Sequence, residues 1–196
     1  MPRTAQPTRR RILDAAYELF YRKGFGRVGV DEIAAGAGIT KKSLYYHFES
    51  KDEVLTAMLD LHRELALARI RKYEDRYSTD PDEMLTMLFS ELAKWTVTPG
   101  FSGAGFTRIV MELADLPGHP AHAVARLHKG AMEAWYTEML ARARVPRAAE
   151  HAREIALLVE GATALILIHG DRGYASAAAR AAKLLVRHAG HELTAA

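Results

Sequence analysis

Apolar residues recur at helical spacing along almost the whole chain, and this periodicity limits the possible folds more than any other feature. Near the start, apolar side chains stand at i, i+1, i+4, i+7 and i+8, namely Ile12, Leu13, Ala16, Leu19 and Phe20. Such a stripe is typical of a helix with one buried face. The alternation of apolar and polar residues that indicates strands is nearly absent. The sequence therefore predicts an all-α protein with about nine helices.

Composition narrows the class of protein further. The 196 residues are 49% hydrophobic and 26% charged, as in a globular protein with a substantial core. The absence of cysteine excludes disulfides, thiolate nucleophiles and zinc–thiolate sites. The most apolar stretch, 155–168, contains Glu160 and is shorter than the roughly 18 residues of a membrane span. Residues 1–11 are polar and basic, unlike a secretory signal, so we expect a cytoplasmic protein that does not bind membranes.

The net charge of +3 is unevenly distributed. Residues 1–51 contain ten Lys and Arg against five Asp and Glu, a net charge of +5, whereas the remainder contains 17 against 19, a net charge of −2. A polyanionic partner would therefore bind near the N-terminal end. Charge by itself favours the simpler alternative, a basic surface that is merely solvated.

Residues 31–48 have the pattern of two short helices joined by a turn. Asp31 and Glu32 place negative charge at the start of the first helix, which favours its dipole. Gly38 interrupts the pattern, and Thr40 can cap a second helix that continues through His47. This arrangement is typical of the DNA-binding helix-turn-helix. An ordinary helical hairpin with a solvated face is the alternative.

The side chains of this segment divide into a packed side and an exposed side. Ala34 is small enough for two helices to cross, and Ile39, Leu44 and Phe48 can anchor the second helix from behind. The exposed side would then carry Lys41, Lys42, Ser43, Tyr45, Tyr46 and His47. Such side chains can contact phosphates and base edges in a major groove about 12 Å wide.

Capping residues and breakers predict where other helices begin and end. Gly24 should end the first helix in a left-handed conformation. Ser50 and Glu53 form a capping box that begins a long fourth helix. Asp80, which a proline follows, should cap another helix. A further helix is expected over Phe106–Leu116.

Several motifs in residues 8–55 closely resemble the N-terminal domain of the TetR family of bacterial transcriptional regulators. They are Ile12-Leu13-Asp14-Ala15-Ala16, Leu19-Phe20, Gly24-Phe25, Val30-Asp31-Glu32-Ile33-Ala34, Ala37-Gly38-Ile39-Thr40-Lys41, Ser43-Leu44-Tyr45-Tyr46-His47-Phe48 and Ser50-Lys51. The resemblance implies a three-helix DNA-binding domain over residues 1–50 and a helical ligand-binding and dimerisation domain over residues 51–196. It also implies a homodimer on a pseudo-palindromic operator in double-stranded DNA, acting as a repressor that an unidentified small-molecule effector releases.

By position, the resemblance assigns DNA contacts to residues of the third helix and the start of the fourth. These are Thr40, Lys41, Lys42, Ser43, Tyr45, Tyr46, His47 and Lys51. Tyr45 and Lys51 match phosphate contacts, and a helix N-terminus such as that at Lys51 also favours an anion. Lys42 departs from the family, which often has a small residue there. The extra charge would strengthen phosphate binding or alter base preference.

The C-terminal half offers candidates for a dimer interface and a ligand pocket. Small and apolar residues of the last two helices predict the interface: Leu158, Gly161, Ala162, Leu165, Ala178, Ala182 and Leu185. Part of this set is also expected to complete the core of the single chain. Aromatic and methionine side chains predict the pocket: Phe89, Trp95, Phe106, Met111, Met132 and Trp135. The alternative for each is an ordinary core position, because aromatic residues at helical spacing usually pack in cores.

No catalytic residue, cofactor or metal site is predicted. The sequence contains no phosphate-binding loop, no G-x-S-x-G and no H-E-x-x-H motif, so an enzyme is disfavoured. His119 and His122 lie three positions apart beside a proline turn. With no cysteine nearby, a chance grouping explains these histidines better than a metal site.

Overall fold

A computed structural model describes residues 5–73, 78–98 and 101–192, and within these ranges the chain forms nine α-helices and no strand. In chain order they are α1 (Ala5–Lys23), α2 (Val30–Gly36), α3 (Lys41–His47), α4 (Lys51–Tyr73), α5 (Pro81–Trp95), α6 (Gly105–Glu112), α7 (Pro120–Arg142), α8 (Ala148–His169) and α9 (Gly173–Glu192). The predicted fold class and helix number are confirmed. Within the same ranges, no helix is both long enough and apolar enough to cross a membrane.

The chain divides into two compact units. The first comprises the residues up to Ala68 together with Gly105–His128, and the second comprises Arg69–Ala104 and the residues from Lys129 onward. Helices α1, α2, α3 and α6 belong to the first unit, and α5, α8 and α9 belong to the second. Helices α4 and α7 contribute residues to both. The domain boundary at residue 50 stays a prediction, and the unit that holds α2 and α3 also includes α6.

The core of the first unit is built on the predicted apolar face of α1. Every member of that stripe, from Ile12 to Phe20, is buried. They share one cluster with Ile33 of α2, Leu44 of α3 and Leu55 of α4, which have no exposed surface. Fully burying a Leu, Ile or Phe side chain contributes roughly 1.5–3 kcal/mol. Because α2 and α3 share this cluster with α1 and α4, and with Ile109 of α6 and Ala121 of α7, their inner sides are fixed by packing.

Two helix ends in the first unit follow the predicted capping residues. Gly24 ends α1 with φ of +88°, and its N–H donates to the carbonyl of Phe20 at 2.9 Å. Ser50 Oγ accepts a hydrogen bond from the N–H of Glu53 at 3.0 Å, which is one half of the predicted capping box. In the other half the Glu53 carboxylate accepts from the N–H of Glu49, at 2.6 Å, instead of from Ser50.

Helix α6 ends at Glu112 and not at Leu116, so the sequence-based boundary was wrong. A continuing helix would need residue 117 to donate to the carbonyl of Leu113, but Pro117 has no N–H. That carbonyl accepts from the N–H of Leu116 in a tighter turn, at 2.9 Å, and from the ring of His122, at 3.0 Å. The proline therefore ends the helix early, and a backbone turn together with a side chain of α7 satisfies the carbonyl that a longer helix would have used.

The core of the second unit lies among α5, α8 and α9, which pack on one another. Leu85 and Phe89 of α5 are buried with Ile155 of α8 and Ala182 of α9. Helix α5 begins as predicted, because the carboxylate of Asp80 caps it. The apolar faces predicted for α5 and for the last two helices thus serve first to build the core of a single chain.

Candidate nucleic-acid interface

The turn over residues 37–40 sets the angle between α2 and α3. Ala34 is buried where the helices meet, and its carbonyl accepts from the N–H of Ile39 at 3.0 Å. Gly38 adopts φ of +64°, the left-handed region that favours glycine. The guanidinium of Arg11 on α1 donates to the carbonyl of Ala37 at 2.8 and 3.1 Å. The turn is therefore fixed from within and from α1.

Helix α3 is anchored on one side and open on the other. Thr40 Oγ1 accepts from the N–H of Ser43 at 3.1 Å, which confirms the predicted N-cap. Leu44 and Phe48 are buried and Ile39 is partly buried, as the sequence predicts for the anchors. With these apolar residues turned inward, the polar and aromatic residues of α3 are left facing water.

The predicted contact residues of α3 are all accessible. Tyr46 is 80% exposed, more than any other large apolar or aromatic side chain in the described residues. The exposed members are Thr40, Lys41, Lys42, Tyr45 and Tyr46. Ser43 and His47 are half-buried. Two phenols and two lysines are thus presented on two turns of helix.

The two lysines at the start of α3 differ in their surroundings. Lys41 Nζ lies 3.0 Å from a carboxylate oxygen of Asp31 on α2, and this hydrogen bond raises the pKa of Lys41 above its usual value. Lys42 forms no ion pair within the described part of the chain. Because Asp31 already neutralises part of the charge of Lys41, Lys42 is the stronger candidate for an ion pair with a DNA phosphate.

Lys51 at the start of α4 points towards the loop between α1 and α2. Its ammonium group donates to the carbonyls of Phe25 at 3.1 Å and Val28 at 3.2 Å. The same nitrogen lies 4.1 Å from the centre of the Phe25 ring. A lysine has three N–H donors, so one remains for another acceptor. A phosphate contact of Lys51 stays a prediction.

Arg9 is a further residue near α3 that the sequence reasoning missed. Its guanidinium donates to the carbonyl of His47, at the C-terminal end of α3, at 3.0 Å. It also lies 4.1 Å from the centre of the Phe48 ring. A cation at a helix C-terminus is favourable for the helix dipole. The run of three arginines at 9–11 was the available signal, but it does not indicate which helix each arginine contacts.

The residues predicted for the dimer interface have different degrees of burial. Three small ones are buried in the second unit's own core: Ala162, Ala178 and Ala182. Leu158 and Leu185 are half-buried, whereas Gly161 and Leu165 are exposed. Contacts of this set with a second chain stay a prediction, and the three alanines are the least available for them.

Two further apolar residues of α8 extend the exposed part of this predicted interface. Leu157 and Ile168 are each 71% exposed, and with Gly161 and Leu165 they stand at i, i+4, i+8 and i+11. Leu184 of α9 is also exposed. The helical spacing of these four positions was present in the sequence. Gly161 and Leu165 belong to the predicted interface, whereas the core-facing Ala162 was predicted for it too, because α8 is apolar on two faces and periodicity does not indicate which face is internal.

The residues predicted for a ligand pocket belong to both units. Phe89 and Trp135 are buried in the second unit's core, with Trp95 and Met132 packed against it. Phe106 lies in the first unit, where its ring stacks on that of His128 with centroids 4.0 Å apart. Met111, also in the first unit, is 73% exposed. The membership of all these residues in a pocket stays a prediction.

The histidines at the start of α7 have structural hydrogen bonds. His119 Nδ1 accepts from the N–H of Ala121 at 3.1 Å, and His122 donates to Leu113 as described above. Among the described residues, no group of three or more His, Asp or Glu side chains could hold a metal ion.

A family model described as "Bacterial regulatory proteins, tetR family" matches residues 12–58. The HTH-type transcriptional regulator TtgR of Pseudomonas putida is 38% identical over 94 residues, which are 45% of this chain and 44% of TtgR. The HTH-type transcriptional regulator AcrR of Shigella flexneri is 31% identical over 94 residues, 48% of this chain and 44% of AcrR. The aligned part thus spans less than half the length of these curated relatives.

Two solved structures are similar over nearly the whole chain. SCO4454, a TetR-family transcriptional regulator from Streptomyces coelicolor, superposes with a TM-score of 0.83 at 27% identity, covering 94% of this chain and 96% of SCO4454. The TetR-type regulator sav143 from Streptomyces avermitilis superposes with a TM-score of 0.74 at 30% identity, covering 90% of this chain and 98% of sav143. The likeness therefore extends beyond the helix-turn-helix into the C-terminal helices.

Proposed function

The chain belongs to the TetR family of bacterial regulatory proteins, and from that premise we propose that it is a transcriptional repressor that a small-molecule effector releases from its operator. The outward side of α3 carries this proposal. The core-facing residues of α3 are buried. Its outward residues are lysines, tyrosines and a serine, and the tyrosines and serine carry hydroxyl groups. An α-helix fits the major groove of B-DNA, and side chains of these types bind phosphates and base edges.

The contacts on α3 fall into two kinds. Tyr46 is the most exposed large apolar or aromatic side chain among the described residues, and we assign it to base edges or thymine methyl groups. Lys42, Tyr45 and the free N–H of Lys51 are assigned to phosphates, which fix the position of the helix without reading sequence. The remaining predicted contacts support either role, namely Thr40, Lys41, Ser43 and His47.

The exposed apolar face of α8 supports a homodimer. Leu157, Leu165 and Ile168 leave contiguous apolar surface in water unless another chain covers it, and the small Gly161 allows close approach of two helices. A two-fold interface uses the same surface on both chains. Two recognition helices about 34 Å apart then fit successive major grooves, so the operator would be pseudo-palindromic.

The second unit is the proposed effector-binding part. Phe89, Trp95, Met132 and Trp135 suit an apolar or amphipathic small molecule, since binding sites for such ligands are mostly lined by apolar and aromatic groups. An effector that favours the DNA-free conformation by about 1–3 kcal/mol would lower operator affinity roughly 5- to 150-fold. By linkage, the operator lowers effector affinity by the same factor. We assign the chain no catalytic step.

The proposal is tested by selecting duplexes from a random-sequence library with the purified chain and measuring their binding by gel shift at increasing salt. We expect enrichment of a two-fold symmetric sequence whose affinity falls steeply with salt. A library without an enriched sequence, or binding that is insensitive to salt, would contradict DNA recognition by α3.

A further inference from the structure

The loop between α1 and α2 is held at one residue by two other helices. The N–H of Phe25 donates to Glu112 Oε2 of α6 at 2.7 Å. The carbonyl of the same residue accepts from Lys51 Nζ of α4 at 3.1 Å. Both polar groups of the Phe25 backbone are therefore bonded to ionisable side chains of opposite charge. Hydrogen bonds to charged groups are roughly twice as strong as neutral ones.

The ring of Phe25 adds packing to these hydrogen bonds. It is buried, it meets Phe20 of α1 edge-on at 5.2 Å between centroids, and the Lys51 ammonium lies against it. Lys51 also bonds the carbonyl of Val28, two residues before α2 begins. The position of this loop therefore determines where α2 starts.

Glu112 is itself held firmly on the first unit. Arg108, one turn earlier on α6, lies 3.4 Å from the Glu112 carboxylate and donates to the carbonyl of Tyr21 on α1 at 2.8 Å. The N–H of Gly105 donates to the hydroxyl of Tyr21 at 3.1 Å. Gly105, Arg108 and Glu112 lie at i, i+3 and i+7, so one face of α6 bonds the end of α1 and the loop after it.

Gly24 permits the close approach of the carboxylate. A Cβ atom at Gly24 would lie 3.0 Å from both carboxylate oxygens of Glu112. The residue before Phe25 must therefore lack a side chain both for its positive φ and for the position of Glu112.

We infer that Glu112 is a positioning residue for operator binding: it ties α6 to the α1–α2 loop, and Lys51 ties the same loop to α4. Glu112 itself contacts no DNA in this account. A displacement of α6 would act directly on Phe25 and so on the start of α2. This inference rests on the proposed DNA-binding function and specifies how the helix-turn-helix is controlled.

The direction in which DNA affinity changes when the Glu112 carboxylate is removed distinguishes a positioning role from a purely electrostatic one. Removing a carboxylate makes the first unit more positive, which by itself would strengthen binding to a polyanion. Loss of a positioning contact would weaken binding instead. A neutralised carboxylate elsewhere on the same unit supplies the control, and Asp115 is exposed, lies three positions beyond Glu112 and makes none of the bonds above.

The test compares Glu112→Ala, Glu112→Gln and Asp115→Asn on a duplex that the wild type has enriched from a random-sequence library. We expect Glu112→Ala to bind about tenfold more weakly, and Glu112→Gln, which keeps an oxygen for Phe25, to stay within about threefold of wild type. Asp115→Asn should bind as tightly as wild type or slightly tighter. The salt dependence should not change in Glu112→Ala, whereas Lys51→Ala should lower its slope by about one.

Binding of Glu112→Ala as tight as that of Asp115→Asn would overturn the inference. Amide exchange of Phe25, followed by NMR, gives a second measure that does not depend on DNA. The amide should exchange slowly in the wild type and faster in Glu112→Ala, and exchange at the rate of an open loop in the wild type would also overturn the inference. If the wild type enriches no duplex, the proposed function fails while the exchange result still tests the bond.

Discussion

The outward side of α3 and the exposed face of α8 both leave large side chains in water, but they differ in chemistry. On α3, two lysines in the first turn are followed by two tyrosines in the second, whose hydroxyl groups can be hydrated. On α8, the exposed residues are Leu157, Leu165 and Ile168 around a glycine, with no charge among them. The first surface suits a hydrated polyanion. The second is stabilised only when another apolar surface covers it and removes it from water.

The two surfaces would also have different roles in an operator complex. In the proposed complex, the outward side of α3 would contact one half-site, and the exposed face of α8 would join two chains into one dimer. Joining two binding modules raises overall affinity by 10²–10⁴ without a new contact. Loss of the second surface should therefore reduce DNA binding more than loss of any one contact in the first.

The largest effect is expected from Leu165→Arg. A buried unpaired guanidinium at a two-fold interface is strongly unfavourable, so the chain should become monomeric and lose about 100-fold in operator affinity. Sedimentation velocity at micromolar concentration would measure the state of association. Leu116→Arg, at an exposed leucine outside this face, is the matched control and should remain dimeric. A wild type that sediments as a monomer would contradict dimerisation through the exposed face of α8.

A smaller effect is expected from Tyr46→Ala, and it should concern sequence preference. A base contact discriminates by about 1–3 kcal/mol, so repeated selection with the variant should yield a consensus relaxed at the positions that Tyr46 reads. Tyr46→Phe, which keeps the ring, shows how much of the preference depends on the hydroxyl. If selection with Tyr46→Ala yields the wild-type consensus with the same preference at every position, Tyr46 contacts no base.

Lys41 and Lys42 should differ in the salt dependence of binding. Lys42→Ala should reduce the slope of log affinity against log salt by about one, because one phosphate contact is lost. Lys41→Ala should reduce it less, because Asp31 already compensates that charge. Asp31→Asn should then make the two alanine variants more alike. Equal slopes for Lys41→Ala and Lys42→Ala in the wild-type background would contradict the assigned roles.

The smallest effect concerns the exposed ion pair between Asp82 of α5 and Arg187 of α9, in the unit that carries the apolar face. The hydrogen bond from Arg187 lowers the pKa of Asp82 below its usual value. A carboxyl with a lowered pKa stabilises the folded state above its unfolded pKa, and this contribution disappears as the pH falls through the folded pKa. Asp82→Asn should therefore lower the urea midpoint slightly at neutral pH and not at about pH 2. A difference of equal size at both pH values would exclude the ion pair as its cause.

The helix-turn-helix could be predicted almost residue by residue because its signals are local. The cap at Thr40, the turn at Gly38 and the anchors Leu44 and Phe48 all lie within one short segment, and each was found where expected. Such signals depend on backbone conformation and on one buried face, which neighbouring residues in the sequence determine.

Contacts between distant positions could not be predicted in this way. Glu112 and Phe25 are separated by 87 positions, and nothing in the sequence pairs them. The Lys51 ammonium was expected on a phosphate and is directed at two carbonyls, because the loop before α2 folds back over it. On α8, the alanine at 162 faces the core while Leu157 and Ile168 face water, and only tertiary packing decides between two apolar faces.

The central claim is that two chains joined through α8 present two copies of α3 to one duplex. It is tested most directly by light scattering on the complex of the wild type with a selected duplex that carries one complete site. We predict a mass of one duplex with an even number of chains, and no stable complex of the same duplex with Leu165→Arg. A complex of one duplex with a single chain, equally tight in wild type and variant, would contradict the claim.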